Sequence, residues 1–143
     1  MNIFVANSEM EIRRCFLVMA QLRNKLNENE FVGRVQVQQR EGYQLAYLED
    51  RGEVRSLAGF RLMMRLSHGK MMYVDDLVTA EDHRSCGYGS QLFDWLVRYA
   101  AAQNCAELHL DSGVHRFAAH RFYCAQNMHI SAHHFCLNLD AQK

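Results

Sequence analysis

Apolar residues recur along the chain in two rhythms, and the switches between them divide it into elements. Ser8 and Glu11 form a capping box, and Ile12, Phe16, Met19, Ala20 and Leu26 then fall on one helical face, which predicts a helix over 9–26. Asn27 and Glu30 repeat the capping signal. With Phe31, Val32 and Val35 they predict a second helix reaching Arg40, although Val35 and Val37 also alternate as a strand would.

Strand signals follow. The run from Tyr43 to Leu48, the turn Glu49-Asp50-Arg51-Gly52 and the run from Val54 to about Leu66 read as an antiparallel pair. After Ser67-His68-Gly69, the stretch from Lys70 to Val78 is apolar on both faces, as a covered central strand is, except that Asp75 and Asp76 interrupt it. Leu92, Trp95, Leu96, Tyr99 and Ala102 mark a helix that Asn104 ends. A strand is predicted from Ala106 to Leu110, then a helix opened by Ser112 with Val114, Phe117, Ala118, Phe122 and Ala125 on its stripe and Asn127 as its stop. Phe135, Leu137 and Leu139 alternate as a closing strand.

Composition narrows the class. The 143 residues, 49% hydrophobic, suit a single domain over 1–143 whose core needs no disulfide or metal staple. Sixteen basic side chains balance sixteen acidic ones, which argues against a nucleic-acid partner bound by bulk electrostatics. No apolar run is long enough to cross a membrane, and the N-terminus has no leader pattern, so a cytoplasmic protein is expected. Five cysteines at wide spacing, without a C-x-x-C pair, read as reduced thiols, most of them small core side chains.

The chemistry is expected between Asp75 and Ser90, where the central strand joins the strongest helix. Gly87 and Gly89 stand just before that helix, and a helix N-terminus offers unpaired N–H groups and the positive end of the dipole to an anion. A phosphate or pyrophosphate fits such a place, while the bland reading is a tight strand-to-helix turn. A P-loop is excluded because no Lys follows Gly89, and a dinucleotide fingerprint because Leu92 stands where it needs a third glycine.

Arg84-Ser85-Cys86-Gly87-Tyr88-Gly89, with an apolar strand from Tyr73 to Thr79 before it and Ala119-His120-Arg121-Phe122-Tyr123 on a later helix, resembles the GCN5-related N-acetyltransferase superfamily. The chain departs from that pattern at Arg116, where the superfamily often has Asn, and at Asn127-Met128, where it often has Gly-Phe. The resemblance implies a three-layer α/β/α fold. Its mixed, mostly antiparallel sheet would have six or seven strands and splay between the fourth and fifth, near residues 77 and 110.

It also implies acetyl-CoA as cosubstrate and direct transfer of the acetyl group to a primary amine of a small molecule or protein, with a homodimer admissible. On that resemblance Arg84, Ser85, Cys86, Gly87, Tyr88, Gly89 and Ser90 would cradle the pyrophosphate, and the edge of Leu77, Val78 and Thr79 would pair with the pantetheine arm. A backbone N–H near Val78 would hold the oxyanion, and Tyr123 would serve the departing thiolate. Asp75 and Asp76 are the candidates for taking the amine's proton. Strand alternation sends them to opposite faces, so only one could serve a given cleft, and Asp111 is a third candidate. The competing reading is a CoA-binding or interaction module without turnover.

His115, His120, His129, His133 and His134 crowd the C-terminal third, but His129 and His133 lie in a stretch read as strand and turn, where the i, i+4 logic of a helical zinc motif does not apply, and no metal is expected. The chain has no proline, where average usage would place about seven. The superfamily often has one at the place of Glu81, so the turn Ala80-Glu81-Asp82 is expected to be held by side-chain hydrogen bonds.

Overall fold

Both capping signals are made in the computed structural model, which describes residues 1–140. The Ser8 hydroxyl accepts from the Glu11 N–H at 3.2 Å while the Glu11 carboxylate accepts from the Ser8 N–H at 2.9 Å, which opens α1 (Glu9–Arg14). The helix expected over 9–26 divides here. At Cys15 the N–H bonds back only three residues, to Ile12, and α2 (Phe16–Leu22) continues from it. The chain leaves helical geometry at Arg23, whose guanidinium reaches the central strand. Asn27 caps α3 (Glu28–Gln39), accepting from the Glu30 N–H at 2.9 Å. Phe31, Val32 and Val35 are buried while Val37 is exposed, so the helical period and not the two-residue one describes this segment.

The chain divides into two compact units, Met1–Leu110 and the part from Asp111 onward. The first holds a five-stranded sheet in sequence order: β1 (Asn2–Val5), β2 (Tyr43–Asp50), β3 (Glu53–Arg65), β4 (Gly69–Thr79) and β5 (Glu107–Leu110). The first four pair antiparallel and β5 joins β4 in parallel. Arg51 and Gly52, at φ +54° and +78°, make the tight turn between β2 and β3.

The sheet is mixed and mostly antiparallel as expected, but it has five strands and not six or seven. β1 carries only four residues and no turn signal of its own, so its strand character comes from pairing with β2. The closing strand expected at 135–139 is absent. Phe135, Leu137 and Leu139 are exposed and join no ladder, and alternation by itself does not make a strand without a partner edge.

Helices cover both faces of the first unit's sheet. Ile12, Met19, Phe31 and Val35 pack with Tyr43, Leu45, Leu57 and Val78 on one face. On the other, Leu92, Leu96 and Ala100 of α4 (Tyr88–Ala102) pack with Ala46, Ala58, Phe60 and Val74. Phe60 sets its ring against Trp95 and Tyr99 at 6.2 and 5.4 Å, edge to face. Asn104, at φ +63°, stops α4 through paired bonds from its own N–H to Ala101 and from Cys105 N–H to Ala100.

In the second unit α5 spans Phe117–Ala125, with Arg116 in the cap position, four residues later than the cap expected at Ser112. Val114 lies in the preceding turn and Arg116 is the residue before the helix, with no side-chain cap. Asn127, at φ +65°, ends α5 as expected. Among the described residues no helix is long and apolar enough to cross a membrane.

Candidate functional site

The two aspartates of β4 owe their geometry to a bulge. Gly59 pairs with Asp76 and Phe60 with Val74, which leaves Asp75 as an extra residue without a partner on β3. The bulge cancels one step of alternation. Both carboxylates therefore meet groups on the α1–α3 side: Asp75 takes a two-pronged bond from Arg61 at 2.6 and 3.1 Å, and Asp76 accepts from Arg23 at 2.9 Å and from the buried Tyr43 hydroxyl at 2.8 Å. The expectation of opposite faces is thus overturned. Arg23 also donates to the Asp75 carbonyl at 3.0 Å, and the Arg61 guanidinium lies over the Tyr43 ring at 5.6 Å. Burial, with Asp76 next, pushes the Tyr43 phenol well above its usual range, so it is a fixed donor.

Gly59 permits this arrangement. A Cβ there would stand 1.7 Å from the Tyr43 hydroxyl oxygen and 2.6 Å from an Asp76 carboxylate oxygen. Arg23, Tyr43 and Arg61 were not among the site residues expected from sequence. Their one local signal is Gly59 itself, an isolated glycine inside a strand, which marks a bulge or a close approach.

Beyond the bulge β4 runs on to Thr79, whereas its ladder with β5 stops at Val74 opposite Leu110. All four residues of β5 are paired, so the ladder ends because β5 ends at Leu110, and β4 continues past it with a free length from Asp75 to Thr79 on that side. The Val78 carbonyl accepts from the Ser56 hydroxyl at 3.2 Å and the Ala80 N–H donates to the Arg55 carbonyl at 2.8 Å, so Val78 and Ala80 direct their backbone groups to β3. Alternation then turns the N–H groups of Leu77 and Thr79, not that of Val78, toward the side where β5 has ended.

A short 3₁₀ turn (Glu81–His83) leads on to the glycine loop. One of its N–H groups is held by a side chain as the missing proline suggested, that of Glu81 donating to Gln21 at 2.8 Å, while the Ala80 and His83 N–H groups go to the backbone carbonyls of Arg55 and Ala80 at 2.8 and 2.9 Å. His83 contacts Arg55, which in turn pairs with Glu53 at 2.8 Å. Ser85 and Gly87 adopt φ +65° and +87°, and Gly87 stands directly before α4. Gly87 offers no side chain to cap that N-terminus, which follows a loop of alternating handedness, an arrangement suited to presenting backbone N–H groups to an anion. Tyr88 is tied down, its hydroxyl donating to Asp50 at 2.7 Å. Cys86 is exposed in this loop, as are Cys124 and Cys136, and Cys15 alone is fully buried, so most cysteines are not core side chains.

In the second unit, burial raises the Tyr123 phenol above its ordinary 10.0, and the Arg116 guanidinium beside it works the other way. Arg116, a departure from the superfamily pattern, thus bears on the residue expected to serve the thiolate. His120 donates to the Gly113 carbonyl at 2.8 Å, a structural bond, and Asp111 pairs with His134 at 3.2 Å.

The acetyltransferase (GNAT) family matches residues 10–128 of the chain. An uncharacterized N-acetyltransferase of Bacillus subtilis, YhdJ, is 32% identical over 117 residues, which cover 81% of this chain and 82% of the relative. Among solved structures, a ribosomal-protein-alanine N-acetyltransferase of Brucella melitensis superposes with a TM-score of 0.83 at 13% identity, over 97% of this chain and 100% of the other. Glucosamine-6-phosphate N-acetyltransferase of Arabidopsis thaliana does so with 0.75 at 17% identity, over 98% and 100%. These two share the fold. The family match, over most of the chain, and the curated relative establish that the chain belongs to the GNAT acetyltransferase family.

Proposed function

We propose that the protein transfers an acetyl group directly from acetyl-CoA to a primary amine of a small molecule or protein. The observation that supports this best is the loop from Arg84 to Gly89, where φ values of +65° at Ser85 and +87° at Gly87 precede an uncapped α4 N-terminus. Backbone N–H groups from Cys86 to Ser90 suit a pyrophosphate, with Arg84 adding positive charge. Val78 packs into the core, leaving the outward backbone of Leu77 and Thr79 for the pantetheine arm, and an N–H of this edge polarises the thioester carbonyl.

The acceptor amine must lose a proton. Both Asp76 oxygens are engaged, one by Arg23 and one by Tyr43, whereas both Arg61 bonds to Asp75 fall on Oδ2. Asp75 therefore retains a carboxylate oxygen for the amine or a water, and Asp76 positions Arg23 and Tyr43. Tyr123, like any phenol, keeps its proton at neutral pH, burial shifting it further in that direction, and on the family assignment it passes that proton to the departing thiolate.

The ion pairs of both aspartates also favour a second reading, a CoA-binding module on the same fold without turnover. Release of free thiol from acetyl-CoA, followed across a panel of amino acids, polyamines, amino sugars and peptides, separates the two. Turnover with an acceptor supports the enzyme. Tight CoA binding with no turnover on any of them supports the module.

A further inference from the structure

Among the described residues, one group of side chains has the composition and spacing of a metal site, and it lies apart from the loop and the bulge. Glu107 and His109 are two positions apart on β5 and share a face, while Leu108 between them packs on the α4 side of the sheet. The parallel register sets Glu107 opposite Met71 and His109 opposite Tyr73, and the Ala106 N–H donates to the Lys70 carbonyl at 2.8 Å. The start of β5 is thereby held beside the turn that feeds β4. His68 sits in that turn, which Gly69 completes at φ +66°. As a result His68 Nδ1 lies 3.1 Å from Glu107 Oε1 and His109 Nε2 lies 3.5 Å from the same oxygen, and the imidazole centroids are 4.6 Å apart.

We propose that His68, Glu107 and His109 bind a first-row divalent cation of the zinc type. Two imidazoles and a carboxylate are a borderline nitrogen and oxygen set, which suits zinc, cobalt or nickel better than magnesium or calcium. Ligands about 2.0–2.1 Å from a tetrahedral zinc stand roughly 3.3 Å from one another; the two gaps to the Glu107 oxygen, 3.1 and 3.5 Å, bracket that spacing, and all three donor atoms lie within 4.8 Å of one another. Three protein ligands leave the fourth position to water. Side-chain exposures of 39%, 50% and 20% for His68, Glu107 and His109 let an ion enter without opening the core. Bound there, it ties the β3–β4 turn to the edge of β5. The site draws on neither the acyl-transfer residues nor the C-terminal histidines.

The test is titration of the untagged, chelator-stripped protein with cobalt chloride and then zinc chloride. One cobalt ion should bind with the visible absorption of a tetrahedral site and be displaced by zinc. His68→Ala, Glu107→Gln and His109→Ala should each weaken binding at least tenfold, whereas a His133→Ala/His134→Ala variant should bind as the wild type does. Zinc should also raise the Tm of the wild type and not that of His68→Ala, whose exposed turn position keeps the fold intact if the strand variants are unstable. No saturable binding to the wild type, or wild-type affinity in His68→Ala and Glu107→Gln alike, would overturn the proposal and leave Glu107 as an acceptor shared by two imidazoles.

Discussion

Tyr43 donates its phenolic hydrogen to Asp76 at 2.8 Å directly above the bare α-carbon of Gly59. Three strands meet in that contact: Tyr43 comes from β2, Gly59 from β3 and Asp76 from the bulged stretch of β4. The bulge turns both aspartates to one side, and the Tyr43 bond, the Arg23 pair and the Arg61 pair hold it there.

Gly59→Ala puts a methyl carbon 1.7 Å from the Tyr43 oxygen and 2.3 Å from its ring carbon, so the ring must leave its place. Overpacking of this kind costs about 3 kcal/mol and should lower Tm by on the order of 10 °C in thermal unfolding. A variant as stable as the wild type would show that the Tyr43–Asp76 contact contributes little.

Asp75 and Asp76 should separate in kinetics. Each Asn variant weakens a partly buried ion pair, Asp75 with Arg61 and Asp76 with Arg23, and should cost about 1–2 kcal/mol of stability in urea unfolding. Asp75→Asn is expected in addition to lower kcat by about 100-fold, the size of a lost general base, and Asp76→Asn to lower it less. The reverse order of steady-state rates would reassign the base to Asp76.

At Gly87 the backbone sits at φ +87°, where a β-branched side chain is strained by about 1–3 kcal/mol. Gly87→Val should distort the loop and weaken CoA binding at least tenfold by calorimetry, with an unchanged far-ultraviolet circular dichroism spectrum. Unaltered affinity would mean that the pyrophosphate is held elsewhere.

Tyr123→Phe removes only the hydroxyl. A fall in kcat of about 100-fold with CoA affinity held within twofold is expected if that hydroxyl protonates the thiolate. Equal losses in kcat and CoA affinity would identify a binding role. Because burial raises this phenol above 10.0, the alkaline limb of kcat should lie above pH 10 and disappear in the variant.

Cys15 sets a pH dependence of stability. Burial pushes its thiol from 9.0 up to about 12, so between those values the unfolded chain releases a proton that the folded one keeps. Stability from this group is fully present below pH 9 and falls as pH rises toward 12, by on the order of 3–4 kcal/mol in total. Urea unfolding from pH 8 to 11 should show the decline, and Cys15→Ala should flatten it. The buried Tyr43 adds a loss of the same sign that begins near pH 10.

What could be read from sequence was decided within a few residues. The Ser8–Glu11 and Asn27–Glu30 caps, the stops at Asn104 and Asn127, the α4 stripe and the turn at Arg51-Gly52 each depend on neighbours three or four positions away. The motif from Arg84 to Gly89 is legible for the same reason, since φ of Ser85 and Gly87 and the start of α4 are local matters. Tertiary structure decided whatever depended on register between distant strands. The unpaired Asp75 exists only because β3 opposes β4 with one residue fewer, and that reverses the facing of a carboxylate. Pairing with β2 makes a strand of Asn2–Val5, while Phe135, Leu137 and Leu139 have the alternation of a strand and no ladder. The meeting of His68 with Glu107 and His109 is of the same kind. Some forty residues of chain separate the turn from β5, and parallel pairing with β4 brings them within 4.8 Å.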